Sequence, residues 1–119
     1  MKQFNRSTRV GEQMLRDISL FFEKELADQI PGMITFTHVK LSADLQNATV
    51  YYSYLGQQAE PDYAQTFLDR EKKKIRHQVG RAMKLRRIPE FTFKFDPSIQ
   101  EGIRIERLLN EIKNEPEDN

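Results

Sequence analysis

The sequence predicts a two-layer α+β domain, with helices covering one face of a three-stranded sheet. Three observations carry this reading. Apolar residues recur every three or four positions from Val10 to Leu26, two β-branched and aromatic runs flank a polar link, and a second helical stripe gives way to the strict alternation of Phe91-Thr92-Phe93-Lys94-Phe95. Helical and strand periods that alternate in this way need both layers to bury their apolar faces.

The elements follow in chain order. Val10, Met14, Ile18, Phe21, Phe22 and Leu26 share one face of a first helix, which Ser7 or Thr8 is placed to cap and Pro31-Gly32 to close off. Residues 33–42 and 48–55 are rich in strand formers, and Ala43-Asp44-Leu45-Gln46-Asn47 between them suits a hairpin turn organised by Asp44. In the second strand Ala48, Val50, Tyr52 and Tyr54 share a face and Tyr51 points the other way. Simple alternation in the first puts Ile34 and Phe36 on one side and Val39 and Leu41 on the other.

After a polar connection over 56–62, Ala64, Phe67, Leu68, Ile75, Val79, Ala82 and Met83 form a second helical stripe, interrupted by Glu71. The helix cannot pass Ile88, because Pro89 disfavours helical geometry in the residue before it. Phe91, Phe93 and Phe95 then face one way along a third strand and read as core. Ile99, Ile103, Ile105, Leu108, Leu109 and Ile112 mark a short terminal helix. Residues 1–113 read as one domain and 114–119 as an acidic, disordered tail.

Composition narrows the function. The 119 residues are 38% apolar and 31% charged, with no cysteine, so neither disulfides nor thiolate zinc sites assist folding. Absence of cysteine, of an apolar leader and of any membrane-length apolar run predicts a cytoplasmic protein. Glycines at 11, 32, 56, 80 and 102 do not have the spacing of a phosphate-binding or dinucleotide-binding loop. His38 and His77 belong to no metal-ligand motif. No cofactor, metal or small-molecule substrate is expected. No paired carboxylates or histidines at informative spacing suggest a nuclease, and although a spatially assembled triad is open in principle, nothing local supports one.

Charge is the informative feature. Residues 70–87 hold nine Lys or Arg against Glu71 alone, a net +8, so the rest of the chain carries −7 within a total of +1. At 100° per residue Arg70, Lys73, Lys74, His77, Arg81 and Lys84 fall opposite the apolar stripe. A merely solvated face mixes signs and pairs Glu with Lys. Uncompensated bases instead fit phosphate, which they position without reading base sequence. Arg70, Lys73, Lys74, Arg81 and Lys84 form the candidate surface, with Arg76, Arg86 and Arg87 at its edge. Arg6 and Arg9 either extend it or simply give the first helix a polar start. A general single-strand binder and a protein-interaction module using Tyr51 and the open sheet face are the other classes this pattern admits.

Several stretches resemble one family. These are Arg6-Ser7-Thr8-Arg9-Val10, Gly32-Met33-Ile34-Thr35, the run from Val39 to Leu45, Ala48-Thr49-Val50-Tyr51, and above all Ile75 to Phe93 with its Met83-Lys84-Leu85-Arg86-Arg87-Ile88-Pro89. Together with Asp96 and Ser98-Ile99 they span nearly the whole chain, which is similar to ribosome-binding factor A. The resemblance implies a type II KH-like domain of order α-β-β-α-(kink)-α-β, three strands with helices on one face, plus the short C-terminal helix. It also implies a monomeric, non-enzymatic factor that binds 16S rRNA and the free 30S subunit late in maturation, aids 16S rRNA processing and supports growth in the cold. Like that family, the sequence lacks the Gly-x-x-Gly loop of nucleotide-clamping KH domains. It departs at the expected kink, where Glu71-Lys72-Lys73 replaces small residues and favours a straighter helix.

Overall fold

The computed structural model describes residues 6–56 and 62–114, with the side chains of residues 99, 100 and 114 excepted. The expected connection at 57–61 and the tail from 115 lie outside the described residues. The order is α1 (Arg6–Glu25), a 3-10 turn (Ala27–Gln29), β1 (Met33–Leu41), β2 (Asn47–Leu55), α2 (Tyr63–Ala82), β3 (Glu90–Phe95) and α3 (Ser98–Asn114). β2 is the central strand, antiparallel to β1 and parallel to β3. A parallel pair needs a crossover, and α2 supplies it.

Both long helices pack on one face of the sheet. Met14, Ile18 and Phe22 of α1 and Phe67, Leu68, Ile75 and Val79 of α2 bury against Phe36, Val50, Tyr52, Phe91 and Phe93. The Phe22 ring meets Phe36 edge-on at 5.2 Å and Phe67 at 6.2 Å, tying both helices to the sheet. Gln65 links the layers by polar contacts. It accepts from the Tyr52 hydroxyl at 2.6 Å and donates to the Phe93 carbonyl at 2.9 Å. Burial first, then the nearby Asp69 and Asp62 carboxylates, push the Tyr52 phenol up to about 12.

Five sequence expectations change. Phe95, read as core with Phe91 and Phe93, is exposed, because it is the last residue of β3. α1 begins at Arg6, so Ser7 and Thr8 lie within its first turn rather than capping it. In β1, Val39 and Leu41 are buried alongside Ile34 and Phe36, because the register shifts by one residue between Phe36 and His38. This bulge resets the alternation, sending His38 and Lys40 to the open face. α2 is uninterrupted through Glu71-Lys72-Lys73 but stops at Ala82, which is exposed; Gly80 takes the buried position. α3 is 17 residues long, and Ile105, Leu108, Leu109 and Ile112 are all exposed on it, so it is not a core element.

The hairpin is organised as expected. Asp44 Oδ1 accepts from the Ser42 hydroxyl at 2.6 Å and from the Gln46 N–H at 3.1 Å, while Leu45 takes the left-handed φ of 61°. Those donors, Ser42 foremost, hold the Asp44 carboxyl below its ordinary range.

Candidate nucleic-acid interface

The burial of α2 dictates its exposed charge. With Ile75 and Val79 against the sheet, Arg70, Lys73, Lys74, His77 and Arg81 all face solvent. Lys73, Lys74 and Arg81 have no ion-pair partner among the described residues. Arg70 lies over the Phe67 ring at 5.3 Å and only 3.9 Å from Glu71, with two-thirds of its side chain exposed. Lys72, outside the predicted set, pairs with Asp69 at 3.8 Å, as helical neighbours three apart do.

The end of α2 is a tightly closed turn. The Leu85 N–H donates to the Gly80 carbonyl at 2.9 Å and the Lys84 N–H to that of Arg81 at 3.1 Å, the paired bonds of a Schellman motif. Its left-handed position, usually glycine, is Lys84 at φ 55°. Lys84 thus leaves the helical stripe and is presented on the turn. The chain then folds back over α2, so close that a methyl on Gly80 would sit 2.5 Å from Ile88 Cδ1. Arg86 and Arg87 are exposed on this returning loop.

Arg76 fastens that loop. Its Nε donates to the Pro89 carbonyl at 2.8 Å, one Nη donates to the Ile88 carbonyl at 3.2 Å, and the same Nη lies 3.4 Å from a Glu90 oxygen. These contacts commit most of its guanidinium, leaving Arg76 to position Arg86 and Arg87 rather than to join the free surface.

The tertiary fold brings Arg6 and Arg9 to the same end. A methyl on Gly11 would lie 2.9 Å from the Val39 carbonyl, so the start of α1 sits over the end of β1. There Leu41 pairs with Ala48, and Ala48 with Phe91 just beyond the returning loop. Exposed Arg6 and Arg9 therefore share one end of the domain with Arg81, Lys84, Arg86 and Arg87, while Arg70, Lys73 and Lys74 extend along α2. The first turn of α1 contains no acid, and two cations at a helix N-terminus oppose its dipole unless an anion compensates.

Two further cations fall outside the sequence-predicted set. Lys94 is turned outward by the same alternation that turns Phe93 inward, a signal visible in the sequence. Lys40 faces outward only because of the β1 bulge. Among the described residues no cluster of His, Asp or Glu could hold a metal, and no helix is long and apolar enough to cross a membrane.

Comparison with known proteins decides the family. The family profile of ribosome-binding factor A matches residues 6–109. The chain belongs to the ribosome-binding factor A family. A ribosome-binding factor A from Brevibacillus brevis is 40% identical over 112 residues, covering 94% of this chain and 93% of its own. The fold is shared with the crystal structure of Thermus thermophilus ribosome-binding factor A, at TM-score 0.62 and 23% identity over 76% of this chain and 96% of that one. It is shared too with the Thermus homology model fitted into a cryo-EM map of a 30S complex, at TM-score 0.64 and 22% identity, again over 76% and 96%. Within the family profile lie the helix that carries the basic stripe, the returning loop and most of α3.

Proposed function

We propose that this chain is a non-catalytic assembly factor that binds 16S rRNA within the free or immature 30S subunit and assists its late maturation. The observation that carries the reading is the set of exposed cations on α2, its closing turn and the start of α1, of which, among the described residues, only Arg70 lies within ion-pair distance of a carboxylate. Family membership supports the ribosome as the partner, as does the 30S complex of the Thermus relative. Phosphates on Lys73, Lys74, Arg81 and Lys84 would fix the position of the domain, with Arg6, Arg9, Arg70, Arg86 and Arg87 extending the footprint.

Residues 1–113 act as one RNA-binding unit in this reading, working as a monomer in the cytoplasm with the acidic segment 114–119 outside it. The work is done by binding energy. A ligand shifts an equilibrium between rRNA conformers only by its differential affinity for them. Support of 16S processing and of growth in the cold follows if the favoured conformer is the one that matures, since misfolded rRNA escapes more slowly at low temperature.

Sedimentation of the tagged chain in lysate, at low and moderate salt, tests this. Co-migration with free small subunits and its loss in an Arg81→Glu/Lys84→Glu/Lys74→Glu variant are expected. A reversed variant that still co-sediments would overturn the proposed surface; wild-type protein spread over all RNA would indicate a general binder.

A further inference from the structure

The face of the sheet turned away from α1 and α2 has a composition that its fold does not require. We infer that it is a second RNA-contact surface, on which unpaired bases stack against Tyr51 and His38 while Lys40 and Lys94 hold the adjoining phosphates. The inference rests on the rRNA reading and deepens it, since it adds a single-stranded segment to the RNA that α2 engages.

Register assembles the platform. His38 pairs with Tyr51 on one side and Lys94 pairs with Tyr51 on the other, so the three form one row across all three strands. The next row is Lys40, Thr49 and Thr92. The His38 and Tyr51 rings stack at 6.0 Å with 29° between their planes, so the two rings stand side by side on this face. His38, Lys40, Thr92 and Lys94 are exposed, and Tyr51 is half-buried.

Charge chooses the occupant. Lys40 and Lys94 have no carboxylate partner among the described residues, whereas the acids at the two ends of β3, Glu90 in its first position and Asp96 just after it, are already engaged. Asp96 accepts from the Thr37 hydroxyl and the Ser98 N–H, and Glu90 pairs with Arg76. An aromatic pair between two free cations fits a single strand, whose bases stack and whose phosphates need positive charge. A duplex offers its phosphates but hides its base faces. The row is also continuous with the basic end of the domain, because a groove of about 270 Å³ lined by Ser7, Thr8, Glu12, His38 and Lys40 joins it to the first turns of α1.

Fluorescence anisotropy of the full chain with a labelled short single-stranded RNA, and separately with an RNA duplex, tests the inference. Tyr51→Ala should weaken single-strand binding by about fivefold or more and leave duplex binding unchanged. Tyr51→Phe, which keeps the ring, should restore single-strand binding, and Lys94→Gln should lower its salt dependence. An Arg81→Glu/Lys84→Glu variant should weaken both probes, so failure of the α2 surface is read separately. Single-strand affinity unchanged in Tyr51→Ala, or lost equally in Tyr51→Phe, overturns the platform. Loss of subunit co-sedimentation with unchanged single-strand affinity would make this face a protein-docking surface instead. Should Tyr51→Ala fail to fold, ultraviolet crosslinking of the wild-type chain to the single strand decides: adducts on β1 or β2 are expected, and adducts confined to α2 overturn it.

Discussion

Thr37 and Asp96, 59 residues apart, are joined by a 2.7 Å hydrogen bond from the Thr37 hydroxyl to Asp96 Oδ2. Thr37 is the extra residue of the β1 bulge and Asp96 follows β3, so the bond connects the two outer strands across the central one. Ser53 of β2, next in register after the Tyr52–Phe95 pair, is only 2% exposed. The bond closes the open face at one edge of the proposed platform, and it sets a pH dependence. The Ser98 N–H, then the Thr37 hydroxyl and the Ser98 hydroxyl, hold the Asp96 carboxyl below its ordinary range. A lowered carboxylate contributes stability that is present above its unfolded pKa, near 4, and is lost as pH falls through the folded value. Thermal midpoints should therefore fall from about pH 4 downward, and Asp96→Asn should flatten that limb while lowering the midpoint at pH 7. An unchanged acid limb would show that Asp96 does not contribute.

Gly11 makes an unusual helix position. Glycine in a helix interior normally costs about 1 kcal/mol relative to alanine, so Gly11→Ala would ordinarily stabilise. Here the added methyl would lie 2.9 Å from a backbone carbonyl, which cannot swing aside as a side chain can. Helix and strand must separate, at a typical overpacking cost of about 1–3 kcal/mol. Urea unfolding should show Gly11→Ala to be less stable than the parent; a gain would mean that α1 moves away freely.

Lys84 separates folding from binding. Its left-handed backbone suits glycine, so Lys84→Gly should raise stability by about 1 kcal/mol. The same change removes one phosphate contact, and the slope of log affinity against log salt should become shallower by about 1. Denaturant midpoints and anisotropy titrations on one preparation should move in opposite directions. Weaker binding with weaker folding would instead assign Lys84 a packing role.

Arg76 should behave in the contrary way to its neighbours. Arg76→Gln removes hydrogen bonds to two carbonyls by a charged donor, each worth about 1.5–3 kcal/mol, and releases the loop that carries Arg86 and Arg87. Reduced stability, with increased proteolysis between residues 83 and 89, is expected. Lys73→Gln should leave stability unchanged and weaken RNA binding uniformly across sequences. Equal stability in the two variants would refute the distinction.

Much of this protein was determined by sequence alone. The period of α1 and α2, the turn residues of the hairpin and the alternation around Phe91 and Phe93 are local patterns that one side of each element must bury, and the uncompensated charge of 70–87 needs no structure to be seen. Tertiary structure decided what depends on partners distant in sequence. One inserted residue at Thr37 turned Val39 and Leu41 inward and His38 and Lys40 outward, and a bulge is set by cross-strand bonding that no run of β1 residues encodes. The loop carbonyls claimed Arg76, although its position within the basic run looked like that of Lys73 or Lys74. The close approach of α1 to β1 carried Arg6 and Arg9 to the end where α2 turns, because packing, unlike periodicity, joins residues without regard to their separation along the chain.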